Sequence, residues 1–321
     1  MDEKLLKGHN ILLLAQSDGC SVLQFRNKTG EGTMTCYDIF PGAMLSFNDF
    51  HMAYFDSEYS PSKEILAIDH CREGRMEYIA SENAYAYMES GDMKIDHRRS
   101  HIGRFVFPAN HFHGLTIVFD MKTACESLKS EIKDFPVDLR ILQEKYCGGT
   151  YPKLIPGIDI TENIFKEFYQ VPKKIRIPYF KVKIMELLLC LDAIELPAGR
   201  EEQPYYYKTQ IEKVKAIQAF ILEHFAENFT QRELSCMFDI PLSGMKNCFK
   251  SIYGDSIGVW LSKYRMNQAA ELLLKNRDMN VSEVAGSVGY DSPGKFAITF
   301  RKIMGMSPRE YRNAIRRGGS A

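Results

Sequence analysis

Nothing in this 321-residue chain approaches the ~18 consecutive apolar residues that a membrane-spanning helix needs. The stretch Ile11-Leu12-Leu13-Leu14-Ala15 is too short and too poorly flanked to serve as a secretory signal. Paired cysteine motifs are missing as well. Cys20, Cys36, Cys71, Cys125, Cys147, Cys190, Cys236 and Cys248 are scattered with no C-x-x-C among them, so neither a disulfide framework nor a thiolate zinc site is expected. Reduced, structural thiols in a cytoplasmic protein fit this pattern. Net charge is absent too: Lys+Arg 41 stand against Asp+Glu 41, which taken whole argues against a nucleic-acid partner. The average conceals an asymmetry. From Tyr205 onward there are 17 basic and 11 acidic residues, a balance of +6, which leaves −6 for the part before it. A basic module suited to an anionic polymer is thus attached to a mildly acidic one.

What is present is an ordinary globular composition, 45% hydrophobic and 26% charged, long enough for two domains. Up to about Asp120 the chain reads as short strands. They are expected at 33–39, 65–71, 75–80, 84–88, 93–97, 105–107 and 112–119, separated by turn chemistry at Pro41-Gly42, Ser60-Pro61, Glu73-Gly74, Ser90-Gly91-Asp92 and Pro108-Ala109-Asn110. Such spacing suggests a small antiparallel barrel or sandwich whose interior could hold a ligand. From Met121 the period becomes helical. Between Tyr179 and Leu196 a wide apolar stripe of Phe180, Ile184, Leu187, Leu188, Leu191 and Ile194 either packs on the strands or forms a dimerisation surface, the first five being the dimerisation candidates. Polar residues with a proline at each end, Pro197 to Pro204, mark a linker at 197–206 between an N-terminal domain (1–196) and a helical one (207–321). The fold class is therefore α+β.

The helical part contains an internal repeat. Arg232 to Asp239, a turn at Ile240-Pro241 and Leu242 to Gly254 correspond to Val281 to Tyr290 and Ser292 to Gly305. Phe249-Lys250 and Phe300-Arg301 are 51 residues apart, as are Gly254 and Gly305. Each unit reads as a short helix, a tight turn and a second helix closed by glycine, and the two are joined by a long helix from Ile257 to Leu274 with Trp260, Leu261, Tyr264 and Leu272 inward. In each unit the second helix can enter the major groove, and successive grooves on one face of DNA lie ~34 Å apart.

These residues resemble the AraC/XylS-type transcriptional regulators over roughly Ile211 to Arg312. The resemblance rests on Phe249-Lys250 with Gly254, Arg265 with Ala269, Leu272 and Leu273, Val284-Ala285 with Val288-Gly289-Tyr290, Phe296 with Phe300-Arg301-Lys302, and the closing Gly305-Met306-Ser307-Pro308 with Tyr311-Arg312. It implies that Leu242, Ser243, Lys246 and Asn247 sit on the first recognition helix, where Lys246 suits guanine and Asn247 adenine, or where either touches phosphate only. Ser292, Pro293, Gly294, Lys295, Ala297 and Ile298 take the corresponding places in the second. Family members often carry arginine where this chain has Ile298, so the first helix is expected to read more sequence than the second. Lys250, Arg301, Lys302, Arg309 and Arg312 are phosphate candidates. Two departures stand out: Pro241 replaces a Ser or Thr helix cap, so its helix must be capped otherwise or begin with proline in its first turn, and Ser235 replaces an alanine.

The resemblance further implies a cupin-like N-terminal domain binding a small-molecule effector, a siderophore-like iron chelate being one class, and a homodimer that binds a double-stranded DNA operator and, as an activator, contacts RNA polymerase. Effector candidates are Phe47, Tyr54, Tyr78, Tyr87, Phe107, His111 and His113, within an aromatic set that also includes Phe50, Phe55, Tyr85, Phe105 and Phe112; a plain aromatic core is the alternative. His111 and His113 share a strand face, with His97 and His101 nearby. No acid follows until Asp120, and Arg98, Arg99 and Arg104 would repel a cation, so no metal and no cofactor are expected. An enzyme, whether a metal-dependent cupin or a methyl acceptor fused to the DNA-binding module, would need a further ligand or an activated thiolate that the sequence does not show. A module that docks another protein through the apolar stripe, with DNA binding secondary, stays open.

Overall fold

The structure is a computed structural model that describes residues 11–17, 19–59, 63–98, 101–149, 152–195, 205–276 and 278–318. The expected linker residues 197–204, the Ser60-Pro61 turn and Arg99 lie outside them. The chain divides into two compact units, Met1–Tyr206 and Tyr207–Ala321. Among the described residues no helix is long and apolar enough to cross a membrane.

The first unit runs β1 (Ile11–Ser17), β2 (Cys20–Asn27), β3 (Gly30–Phe40), β4 (Ala43–His51), β5 (Tyr54–Tyr59), β6 (Ile65–Ser81), β7 (Ala84–Glu89), β8 (Met93–Asp96), β9 (His101–Val106) and β10 (Phe112–Asp120), then α1 (Met121–Glu131), α2 (Leu139–Cys147), β11 (Lys153–Ile155), α3 (Asp159–Phe168) and α4 (Arg176–Ala193). The main sheet follows the order β1-β2-β3-β4-β10-β6-β7, with β8 on β6 and β11 on β8, while β5 and β9 pair apart. The pairings are antiparallel. Strands β1, β2, β4 and β5 were not expected. The Glu73-Gly74 pair, expected to turn the chain, lies inside the single long strand β6. Gly74 takes φ +88 there, and a Cβ would stand 2.3 Å from the His111 carbonyl oxygen. Two residues earlier Arg72 is the extra residue of a bulge opposite His113/Gly114, which bends the strand without ending it.

Alternation gives the sheet two apolar faces. Leu45, Ile68, Leu115, Ile117 and Phe119 face the helices, and Phe25, Phe50, Phe107 and Phe112 face the other way. The α4 stripe is committed to the first face: Phe180, Ile184, Leu187, Leu188 and Leu191 are all at most 1% exposed. This corrects the dimerisation assignment of those five residues, because the sheet and α3 already cover them. What α4 exposes instead is Val182 and Leu189. Burial also pushes the Cys36 and Cys147 thiols up to about 12, so both are protonated structural groups at neutral pH.

The second unit contains α5 (Lys208–Glu223), α6 (Gln231–Met237), α7 (Leu242–Tyr253), α8 (Ile257–Lys275), α9 (Val281–Ser287), α10 (Pro293–Met304) and α11 (Pro308–Gly318). The repeat is written in its caps. Thr230 Oγ1 accepts from Glu233 N while Glu233 accepts from Thr230 N, and Asn280 and Glu283 repeat this reciprocal pairing 50 residues later. Gly254 and Gly305 close α7 and α10 at φ +86 and +78, now 51 residues apart. The second turn therefore holds one extra residue. Its α10 is capped by Ser292, whose side chain accepts from Lys295 N, with Pro293 in the first turn. In the first unit Pro241 itself occupies the cap position and α7 has no side-chain cap. Ser235, in place of alanine, donates to the Ile240 carbonyl at 2.6 Å and fastens that turn.

Both turns pass through a left-handed residue, Asp239 at φ +46 and Gly289 at φ +80. A Cβ at Gly289 would lie 2.3 Å from the Ala226 carbonyl oxygen and 2.9 Å from Arg265 Nη2. Gly289→Ala is accordingly expected to cost at least about 2 kcal/mol in denaturant unfolding. Asp239→Gly is expected to change stability by less than about 0.5 kcal/mol, since relieved strain and added chain entropy offset each other.

Candidate nucleic-acid interface and effector cavity

In the second unit each helix that follows a turn buries one stripe and leaves the other in solvent. On α7, Met245, Cys248, Phe249 and Ile252 face inward, and Phe249 and Tyr253 pack on Trp260 of α8. That choice turns Ser243, Lys246, Asn247 and Lys250 outward, with Leu242 half-buried at the helix start. On α10 the inward residues are Phe296 and Phe300, so Lys295, Ile298, Arg301 and Lys302 are exposed and Ser292 serves as cap. Ile298 is 73% exposed, an apolar side chain with no packing role. Arg309 is exposed as well. Arg312 is not a free surface cation: its Nη2 donates to the Met279 carbonyl at 2.7 Å, which ties α11 to the loop before α9 and removes it from the phosphate candidates.

Arg265 of α8 holds this unit together from within. It is 7% exposed and donates to the carbonyls of Phe225 (2.6 Å), Glu227 (2.7 Å) and Gly289 (3.3 Å), and to Asn228 Oδ1 (3.1 and 3.2 Å). The α5–α6 loop, the long helix and the second turn meet on one guanidinium.

The first unit encloses a cavity of about 110 Å³ between its strands. Phe25, Phe50, Phe55, Phe105, Phe107 and Phe112 line it together with Met34, Met44 and Met76. Phe50 stacks on Phe55 and on Phe107, and Phe107 on Phe112, which makes a flat aromatic wall. Of the candidates read from the sequence, Phe107 lies in it, as do Phe50, Phe55, Phe105 and Phe112 of the wider aromatic set. The others are elsewhere. Phe47 is on the opposite face of β4, against Tyr169 and Phe180. Tyr54 lies under the Arg104 guanidinium, 4.0 Å from its ring centre. Tyr78 packs behind the cavity, and buried Tyr87 donates to Glu77 at 2.7 Å. His111 and His113 do not line it, and His97 Nε2 sits 2.8 Å from the Cys147 carbonyl oxygen.

A polar network that the sequence reading missed forms one side of the cavity. Asp69, on β6, receives Arg98 Nη2 at 2.6 Å and Lys94 Nζ at 3.0 Å, and Asp96 receives Lys94 Nζ at 2.6 Å and Arg98 Nε at 3.1 Å. Thr116 donates to Asp69 at 2.8 Å, Asn48 donates to Thr116 at 2.9 Å, and Ser46 follows. Burial alone would push the Asp69 carboxyl up, but the two cations outweigh it and hold Asp69 far below the usual carboxylate range. Burial acts to lower Lys94 and Arg98, and the two aspartates reverse this and hold both above their ordinary values. Lys94, Arg98 and Asp69 thus face an apolar space, with Asp96 behind them completing the pairing. Such a wall can exchange a hydrogen bond with a polar ligand group without leaving a bare charge behind.

Two helix-turn-helix units joined by the long helix α8, with their second helices exposed and polar, form a tandem of the kind found in DNA-binding transcription regulators. A family model described as a helix-turn-helix domain matches residues 235–314. The chain is 31% identical over 99 residues to the HTH-type transcriptional regulator ExsA of Pseudomonas aeruginosa, covering 31% of this chain and 35% of that one. It is 25% identical over 132 residues to the HTH-type transcriptional activator RhaS of an Enterobacter species, covering 41% and 45%. The DNA-binding domain of AdpA, a global transcriptional factor crystallised with a target DNA, is 33% identical; the match covers 34% of this chain and 98% of that one at a TM-score of 0.32. The chain spans less than half the length of these two regulators. Its C-terminal residues thus carry a helix-turn-helix domain of the AraC type, similar to those of these regulators.

Proposed function

We propose that the protein is a ligand-responsive, sequence-specific DNA-binding regulator, an activator, that binds a double-stranded operator through α7 and α10 and a small molecule in the N-terminal cavity. The observation that carries the DNA half is the repeated outward placement of Lys246, Asn247, Lys250, Lys295, Arg301 and Lys302 on two equivalent helices. Lys246 reaches guanine O6/N7 and Asn247 adenine N6/N7, while Ile298 and the small residues around it offer a thymine methyl contact without a hydrogen-bond code. Leu242, Ser243 and Ser292 frame the two helix starts. Lys250, Arg301, Lys302 and Arg309 set register on phosphates. Similarity to regulators, and to no enzyme among the relatives described above, supports a non-catalytic role.

The effector half draws on the aromatic wall and the buried charge network. Together they suit a flat, largely apolar molecule carrying a hydrogen-bonding group; a chelate of the siderophore class is one such shape. A cupin-like enclosure of antiparallel strands is the corresponding fold reading. Ligand binding regulates if one arrangement of a homodimer holds the molecule more tightly than another, and the DNA-bound arrangement presents the activator to RNA polymerase.

Titrating the full chain against DNA from its own locus across a salt series tests the proposal. Lys246→Ala and Asn247→Ala are each expected to cost about 1–3 kcal/mol of binding and to relax base preference at one position. Lys250→Ala is expected to weaken binding evenly across sequences and to lower the salt slope by about one. No binding at low salt would refute the reading.

A further inference from the structure

Three side chains on the outer surface of the N-terminal sheet converge on one point. Alternation along β4 sends Asn48 and Phe50 toward the cavity and turns Asp49 and His51 the other way. Asp49 is directly opposite His113 of β10. His51 Nε2 lies 2.9 Å and His113 Nε2 3.1 Å from the same Asp49 Oδ1, and the two imidazole centres are 4.9 Å apart. One ligand atom from each of the three lies within 4.8 Å of the others. Ligands of a tetrahedral ion at ordinary Zn–N and Zn–O lengths stand about 3.3 Å apart, so only small side-chain rotations separate this cluster from a coordination shell.

A hydrogen-bonded trio does not account for the arrangement. His113 Nε2 is shut off from solvent and makes no hydrogen bond, its approach to Asp49 falling outside donor geometry. An unsatisfied imidazole nitrogen aimed at a carboxylate and a second imidazole is costly unless something occupies the gap. Behind it, Glu73 Oε2 lies 3.8 Å from His113 Nδ1, beyond hydrogen-bond distance but within a small rotation of the position from which a carboxylate orients a ligating imidazole. His111, its Nδ1 held 3.1 Å from the Ala109 carbonyl oxygen, stands with its ring 5.7 Å from that of His113. Of the three arginines read from the sequence as cation-repelling, two are neutralised, Arg98 by Asp69 and Asp96 and Arg104 by Asp56, and Arg99 lies outside the described residues.

We propose that Asp49, His51 and His113 bind one divalent first-row transition ion of the zinc class, imidazole and carboxylate being ligands for that class. This replaces the expectation of no metal, which paired His111 with His113 and found no acid following; the acid comes from a neighbouring strand. The site lies on the outside of the sheet, across β4 and β10 from the cavity, and it does not depend on the DNA-binding reading.

The full chain, stripped with chelator, is titrated with Co²⁺ and then Zn²⁺ by calorimetry and visible absorption. One equivalent should bind, with a cobalt d–d absorption that zinc displaces. The His51→Ala/His113→Ala double variant should lose both, Glu73→Gln should bind about tenfold more weakly, and His224→Ala, in the other unit, should match the parent. Circular dichroism checks that each variant folds. X-ray absorption of the parent's zinc complex, which needs no variant, should show nitrogen and oxygen neighbours only. Absence of stoichiometric binding by the parent, sulfur in the shell, or unchanged binding in a folded double variant would overturn the site.

Discussion

Replacing Arg265 by alanine is expected to remove about 3 kcal/mol or more from the stability of the C-terminal unit and to weaken DNA binding, although Arg265 is buried among protein groups. The guanidinium satisfies the carbonyls of Phe225, Glu227 and Gly289 and the side chain of Asn228, all neutral acceptors. Hydrogen bonds from a charged donor are each worth about 1.5–3 kcal/mol, and truncation leaves buried acceptors unmet. Burial pulls the Arg265 pKa down from its ordinary value, since desolvation disfavours the charged form. Arg265→Lys should recover little, because one ammonium cannot span acceptors that a planar fork reaches. Denaturant unfolding of the full chain, paired with a DNA titration, reads both effects. A loss below about 1 kcal/mol would show that the loop, the long helix and the second turn are held by packing alone.

The second large effect is expected at Asp69. Asp69→Ala leaves Arg98 and Lys94 with Asp96 as their remaining partner inside a closed apolar unit, a change that costs about 3–5 kcal/mol when a buried pair is broken from one side. The same network sets an acid limit. Asp69 and Asp96 hold their protons far less tightly in the folded chain than in the unfolded one. Below the ordinary carboxylate range, near pH 4, the unfolded state therefore binds more protons, and the stabilisation that is complete above that pH is lost as the pH falls. Thermal unfolding from pH 7 to 3 should show this decline in the parent and a shallower one in Asp69→Ala. An equally steep decline in the variant would place the acid sensitivity elsewhere.

The two units differed in how far they could be read from sequence. In the helical one, every punctuation mark acts locally: Glu233 reaches back three residues to Thr230, Glu283 to Asn280, and Gly254 and Gly305 end helices by their own φ. The faces of α7 and α10 follow from the 3.6 period once Phe249 and Phe300 are placed inside. In the strand-rich unit the deciding facts are not local. Phe47 and Phe50 look alike in the sequence, yet three residues along a strand put them on opposite faces, and which face holds the cavity is known only once the sheet is assembled. Gly74 signals a turn in isolation, yet it stays paired with Phe112 inside β6 because β10 runs beside it. The α4 stripe announces burial but not its partner. Asp69, Lys94, Asp96 and Arg98 look like a solvated stretch until pairing of β6 with β8 brings them together. Asp49 and His113, likewise, meet across a strand pair that no spacing rule links.

The unequal starts of α7 and α10 bear on how each half of the domain meets its target. With Ser292 bonded to Lys295, the first turn of α10 is ordered before any encounter. Pro241 offers α7 no side-chain acceptor, so the leading amides of Leu242, Ser243 and Gly244 lack the capping bond that α10 has and are expected to fray more readily. The helix that carries Lys246 and Asn247 thus begins as the softer of the two. On the proposed DNA reading, part of its order would be supplied when a phosphate or base edge takes up those amides. If the proposed DNA reading holds, such a tandem would couple one pre-formed contact to one completed on the duplex, and a mismatched sequence would forfeit helical order as well as hydrogen bonds.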